Sequence, residues 1–179
     1  MRFQEHVLVN EKINLNYPID NEGKMGDIYF AYFRVEGIPF EFEAFEWTAK
    51  EAGDDMEIPE GIRYVWEIEF KPSERKWKTV PASPEYDEFE EPIDPYTLEA
   101  STGVSAMKVF SGVATSLKKF LKRQKPDIFF FSAKEPKRMR AYDRFSKMIP
   151  KLTNYKMKTG KDTSGDKVYT FYQKGVKIK

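Results

Sequence analysis

The stretch that decides the fold is Thr102–Tyr155, TGVSAMKVFSGVATSLKKFLKRQKPDIFFFSAKEPKRMRAYDRFSKMIPKLTNY. It reads as helix, strand, helix and turn. Val104, Met107, Phe110, Val113, Ala114, Leu117, Phe120 and Leu121 recur at steps of three and four, the period of one buried helix face. This predicts a helix over about 103–123, ended by Pro126 and Asp127. Ile128, Phe129, Phe130 and Phe131 form a short apolar run, which predicts a strand buried on both faces. Ser132 and Glu135-Pro136 open a second helix over about 135–149. Pro136 suits its first turn, where a helix leaves N–H groups unpaired anyway. Pro150 and Asn154 mark its exit.

Outward from this unit, the N-terminal side reads as antiparallel sheet. Short strands are expected at Val7–Val9 and Ile13–Leu15, and a turn at Asn21-Glu22-Gly23. Asp27–Val35 is rich in aromatic and β-branched residues, as a central strand is. Glu36-Gly37 turns the chain into Pro39–Trp47, completing a hairpin. Asp54-Asp55 and Pro59-Glu60-Gly61 sit in a loop. Ile62–Phe70 alternates, with Ile62, Tyr64, Trp66, Ile68 and Phe70 toward a core and Arg63, Glu67 and Glu69 away from it. Residues 71–95 carry five prolines and an acidic cluster, and read as a long surface loop with one short strand near Trp77–Val80. Tyr96-Thr97-Leu98 re-enters the sheet. Past the second helix, Tyr155–Lys158 and Val168–Gln173 are strands around a Thr159–Asp166 hairpin loop, followed by a basic tail at 174–179. The sum is a single α+β domain over 1–179: a mostly antiparallel mixed sheet flanked by two principal helices.

Composition sets bounds on the chemistry. A chain of 179 residues with 16% aromatic residues can bury a sizeable core. The absence of cysteine excludes disulfides, thiol nucleophiles and thiolate metal sites, and fits a cytoplasmic protein. No membrane-spanning or leader segment is expected. The near-zero net charge conceals an asymmetry. Residues 1–100 carry 10 Lys or Arg against 24 Asp or Glu, whereas residues 101–179 carry 20 against 5. Acidic and basic halves that face each other would explain this, and the near-cancellation favours that reading. A basic surface for a phosphate-bearing partner is the sharper alternative.

Strands, helix, strand, helix and closing hairpin is the element order of the GNAT fold, the acetyl-CoA-dependent N-acetyltransferases. The chain resembles that family in Trp66-Glu67-Ile68-Glu69-Phe70, in Thr102-Gly103 with Val109-Phe110 and Val113, in Phe131-Ser132-Ala133, and in Arg138, Tyr142 and Arg144. It also resembles small bacteriophage-encoded acetyltransferase-like proteins. The likeness covers about Arg63 to Lys158. It implies an acetyl-CoA site at the start of the first helix, on Thr102, Gly103, Val104, Ser105 and Ala106. Backbone N–H groups at a positive helix end would cradle the pyrophosphate there. Gly103 fits the first glycine of the family loop, but Ser105 replaces the second and Ala100 stands where Gln or Arg is expected. An ordinary helix start capped by Ser101 or Thr102 accounts for the same residues. The resemblance further implies Tyr142 as the proton donor to the departing thiolate, while its place on the ladder Met139, Tyr142, Phe145, Ile149 also suits a core tyrosine. Glu67 and Glu69 are the candidate general bases by placement on the long strand.

Arg140, Arg144, Lys147 and Lys151 share one side of the second helix at steps of three and four. Such a face is either solvated or a contact for a host protein or nucleic acid. The lone His6 has no second histidine or cysteine to form a metal pair, so no metal is expected. Three functional readings follow: a GNAT-like phage or bacterial protein with degenerate acetyl transfer, a non-catalytic interaction protein on the same scaffold, and a structural virion component.

Overall fold

Aromatic and β-branched runs punctuated by tight turns build the sheet, and two amphipathic runs build the longer helices. The computed structural model describes residues 13–53, 56, 58–73, 106–133 and 136–176. In chain order these give β1 (Asn21–Met25), β2 (Ile28–Val35), β3 (Ile38–Thr48), α1 (Ala49–Ala52), β4 (Tyr64–Pro72), α2 (Ala106–Gln124), β5 (Ile128–Ala133), α3 (Pro136–Leu152), β6 (Tyr155–Lys161) and β7 (Lys167–Gln173). The strands form one seven-stranded, mostly antiparallel sheet in the order β1-β2-β3-β4-β5-β7-β6. β4 and β5 run parallel, with Trp66 opposite Phe129 and Glu67 opposite Phe130. β5 and β6 each pair antiparallel with β7. The α+β class with a mixed, mostly antiparallel sheet is thus observed.

The described chain gathers into two compact units. One holds the described residues of 1–22, 31–42 and 70–116, and the other those of 23–30, 43–69 and 117–179. In the first, Phe33 stacks on Phe40 at 5.7 Å and meets the edge of Tyr17, while Phe70 meets Phe110. Glu36 and Gly37 both hold positive φ, the geometry of a two-residue hairpin turn whose twist matches its strands.

In the second unit the registers divide side chains cleanly between the two faces of the sheet. Val65, Ile128, Phe130, Val168 and Tyr172 share one face with Ala52 of α1 and the partly buried Met56, Ile58 and Ile62. On the other face Phe129 stacks on Phe171 at 4.7 Å, and Trp66 and Tyr29 pack against Phe120 of α2. Phe145 and Ile149 of α3 are buried there, with Phe145 against Phe131. The predicted burial of Ile128–Phe131 on both sides is observed.

Several local expectations are corrected. Asn21-Glu22-Gly23 belongs to strand β1 rather than a turn: the Phe30 ring lies over Gly23 and covers its bare backbone. Ile13–Leu15 forms no strand. Helix hydroxyls engage Asn14 instead, its N–H donating to Ser111 Oγ at 3.0 Å and its carbonyl accepting from Thr115 Oγ1 at 3.1 Å. Strand β4 begins at Tyr64, not Ile62, and Tyr64 is 53% exposed while Val65 is fully buried. Strict alternation fails because a central strand is covered on both faces. Helix α1 was not anticipated, although Thr48 and Glu51 form a reciprocal capping box over it. Pro150 lies inside α3 rather than past its end; in the last turn it costs one backbone bond, and the Thr153 hydroxyl caps the Ile149 carbonyl at 2.7 Å. β6 runs on through Thr159 to Lys161, so the hairpin loop shortens to 162–166, where Asp162 Oδ1 accepts the N–H groups of Ser164 and Asp166. The expected strands at Val7–Val9, Trp77–Val80 and Tyr96–Leu98 and most of the 71–95 loop lie outside the described residues, as does the end of the basic tail.

Candidate functional site

Alternation along β7 puts Lys167, Tyr169 and Phe171 on one face, opposite Ala133, Phe131 and Phe129 of β5. That is the face α3 covers. Helical spacing brings Tyr142, Phe145 and Ile149 down onto it, with the Tyr142 ring 5.6 Å from Phe131 and the Phe131 ring 5.1 Å from Tyr169. Asp143, one residue along the helix, reaches the rim of this aromatic group. Its Oδ1 accepts two hydrogen bonds of 2.6 Å, from Lys167 Nζ and from the Tyr169 hydroxyl. The Lys167 ammonium also lies 5.1 Å from the centre of the Tyr169 ring.

These contacts decide the protonation states. The hydrogen bonds from Lys167 and Tyr169 pull the Asp143 carboxyl below the ordinary carboxylate range, so it is an anion. Burial, then the bond to that anion, pushes the Tyr169 phenol well above the ordinary tyrosine range. Tyr169 therefore keeps its proton and serves as a donor, not as a base or nucleophile. Asp143 and Lys167 remain about one-third exposed, so the ion pair is open to solvent at its rim. The arrangement is a fixed carboxylate and ammonium at the solvent end of an aromatic cluster, with the half-buried Tyr142 beside them.

The residues singled out in the sequence fall in different places. Tyr142 is at this cluster. Glu67 lies on β4 in register with Phe130, on the opposite face of the sheet, where its Oε2 accepts the Trp47 indole N–H at 3.1 Å. Glu69 is exposed and shares the alternation of Glu67. The sheet thus separates Tyr142 from both glutamates. Ala106 begins α2, whereas Thr102, Gly103, Val104 and Ser105 lie outside the described residues. Arg144, Lys147 and Lys151 are exposed on α3, and Arg140 lies on the same helix.

Asp143, Lys167 and Tyr169 were not anticipated. Asp143 is the sole acid in α3, and Lys167 and Tyr169 keep the strand period of Phe171, so the signal was present. It became legible only once β7 was paired with β5. No helix among the described residues is long and apolar enough to cross a membrane.

No family model matches the chain, and it matches neither a curated protein nor a solved structure.

Proposed function

We propose that this chain is a GNAT-like protein of phage or bacterial type that binds acetyl-CoA and whose acetyl transfer is degenerate. The observation that carries this reading is the sheet itself. Its order is β1-β2-β3-β4-β5-β7-β6, and the neighbours β4 and β5 are parallel, joined through α2. Their ladder registers only Trp66 with Phe129 and Glu67 with Phe130 among the described residues, although β4 continues through Ile68 and Glu69 and β5 through Phe131 and Ser132. In the proposed reading, main-chain groups of β4 and β5 past that short ladder would pair with a ligand that carries amides of its own.

The residues suit the ligand in part. The first turn of α2 holds no acidic side chain and starts at the small Ala106, which favours an anion at its positive end. Acetyl-CoA, when bound, supplies the activated acetyl thioester. Tyr142 contributes a phenolic proton from a half-buried position against Phe131. Neither candidate glutamate serves as a general base for it: Glu67 is engaged by Trp47, and both lie across the sheet from Tyr142. This is the physical ground for degenerate transfer.

A ligand that binds only the folded state raises the melting temperature as its concentration passes its Kd. The expected result is a saturable upward shift with acetyl-CoA, larger than with equimolar ATP. No shift at millimolar acetyl-CoA would sink the reading.

A further inference from the structure

Cations dominate the C-terminal part of this chain. Residues 117–179 hold 19 Lys or Arg against five Asp or Glu. Elsewhere four cations are paired with acids: Lys24 with Glu46, Arg34 with Asp20, Lys71 with Glu41, and Lys108 with Glu36. Lys108–Glu36 joins the acidic and basic halves of the sequence; the other three pairs lie within the acidic half. In the basic half two of the five acids are committed locally. Asp143 holds Lys167 and Tyr169, and Asp162 holds the backbone of its own turn.

Among the described cations left exposed without an ion pair, Arg144, Lys147 and Lys151 lie on α3 and Lys156 and Lys161 on β6; Lys147 also acts at longer range on Asp143. The three on α3 continue the stripe begun by Arg140, at steps of four, three and four. Eleven residues of helix make that stripe roughly 16 Å long. One strand of a duplex presents about five phosphates over such a length. β6 is the last strand of the sheet, and its register sends Lys156 to one face and Lys161 to the other. Cations therefore flank the free edge on both sides.

We propose that the exposed side of α3, together with edge strand β6, is a docking surface for nucleic acid, gripped through its phosphates without reading bases. The surface chemistry selects this partner. A protein partner needs apolar anchors to bury. Leu152 alone among the exposed large apolar residues of the described chain belongs to these two elements. An anionic membrane needs an apolar helix face to insert. The apolar face of α3 is already spent on its own core, where Phe145 and Ile149 are buried. Cations without apolar anchors suit a partner whose binding free energy comes from counterion release. The proposal does not rest on acetyl-CoA binding.

The test measures binding of the whole chain to short mixed-sequence duplex DNA and to single-stranded RNA across a salt series, by fluorescence anisotropy. About five neutralised phosphates give a slope of log K against log salt near −4.5 on a duplex, roughly a five-hundred-fold loss between 50 and 200 mM salt. Replacing Arg144, Lys147 and Lys151 together by Gln should cut affinity at least ten-fold and flatten the slope to about −2. The three positions are exposed, so the melting temperature should barely move. If the triple variant fails to fold, Lys156→Gln with Lys161→Gln tests the same surface through β6, with an expected slope change of about 2. Acetyl-CoA should not displace the bound nucleic acid. Three results would each overturn the proposal: no binding to DNA or RNA at 50 mM salt, binding that the Gln variants leave unchanged, or equally tight binding to polyglutamate or phosphatidylglycerol vesicles.

Discussion

At Gly112 helix propensity and packing pull in opposite directions. In the middle of α2, alanine would be favoured over glycine by about 1 kcal/mol. Yet a Cβ at that position would overlap the Phe33 ring, and Phe33 is fixed between Phe40 and the edge of Tyr17. Overpacking a ring that cannot yield costs about 1–3 kcal/mol. Gly112→Ala should therefore lower stability in urea unfolding, and a gain would show that the helix does not approach β2 this closely. Gly23→Ala makes a useful contrast. Its Cβ would come to 2.9 Å from Phe30, but that ring is only half-buried and can swing aside, so the loss should be smaller. Tyr155 presents a different balance. Its hydroxyl donates to the Pro126 carbonyl at 2.5 Å, and burial, then the nearby Asp127, pushes its phenol up to about 12. Tyr155→Phe leaves a buried carbonyl unpaired and should cost about 1–2 kcal/mol. The raised phenol also sets a pH window. Above about pH 10 the unfolded chain loses this proton while the folded chain keeps it, so stability falls as pH climbs toward 12. Wild type should lose its margin over Tyr155→Phe in that window, as read from melting temperatures across alkaline pH.

Among the elements, β5 carries the most. Phe130 packs with Val65, Ile128, Val168 and Tyr172 on one face while Phe129 and Phe131 fill the other. Phe130→Ala should cost about 3–5 kcal/mol, and a loss below about 1 kcal/mol would mean the site is not core. That strand was legible because four consecutive apolar residues between two helical patterns have few other destinations. The long helices were legible from their three-and-four spacing for the same reason. What the sequence hid was decided by distant partners. Gly23 reads as a turn residue until Phe30 is placed over it, and Tyr64 reads as core until its neighbours leave it uncovered. The Asp143 cluster was hidden most deeply, since Lys167 and Tyr169 lie 24 and 26 residues away along the chain. It makes a prediction for α3 in turn. The Asp143 carboxyl is held below its ordinary value of 3.8, so its contribution is complete above that value. The contribution fades as pH falls through the depressed one. Asp143→Asn should be less stable than wild type at neutral pH, and the gap should close on acidification below about pH 4. A gap that stays constant with pH would mean that the charge of Asp143 contributes nothing to stability.

For the molecule as a whole, ligand binding and chemistry can be separated by two substitutions read in one assay. If acetyl-CoA binds as proposed, its phosphates lie near the start of α2, where N–H groups and the helix dipole favour an anion. If the Gly103 N–H is one of the donors that ligand uses, Gly103→Pro, which removes it and restricts the residue before it, should shrink the ligand-induced rise in melting temperature. The melting temperature without ligand should hold, because Gly103 precedes the described helix, which begins at Ala106. Tyr142→Phe predicts the converse. If, as proposed, the hydroxyl acts on a leaving thiolate, its loss should spare the ligand-induced rise and slow only thiol release. The Tyr142 ring keeps its packing against Phe131 in this variant, so the fold itself is not at risk. Loss of the melting shift in Tyr142→Phe would make the residue a binding or core group rather than a proton donor. Unchanged thiol release in that variant, with the shift intact, would leave the scaffold reading standing and remove the transferred mechanism. The latter pattern is also what the geometry of the sheet anticipates for a degenerate enzyme. Glu67 and Glu69 lie across the sheet from Tyr142, and the Asp143 carboxylate beside it is already held by Lys167 and Tyr169, so none of these three acids is placed to take the proton of an incoming amine.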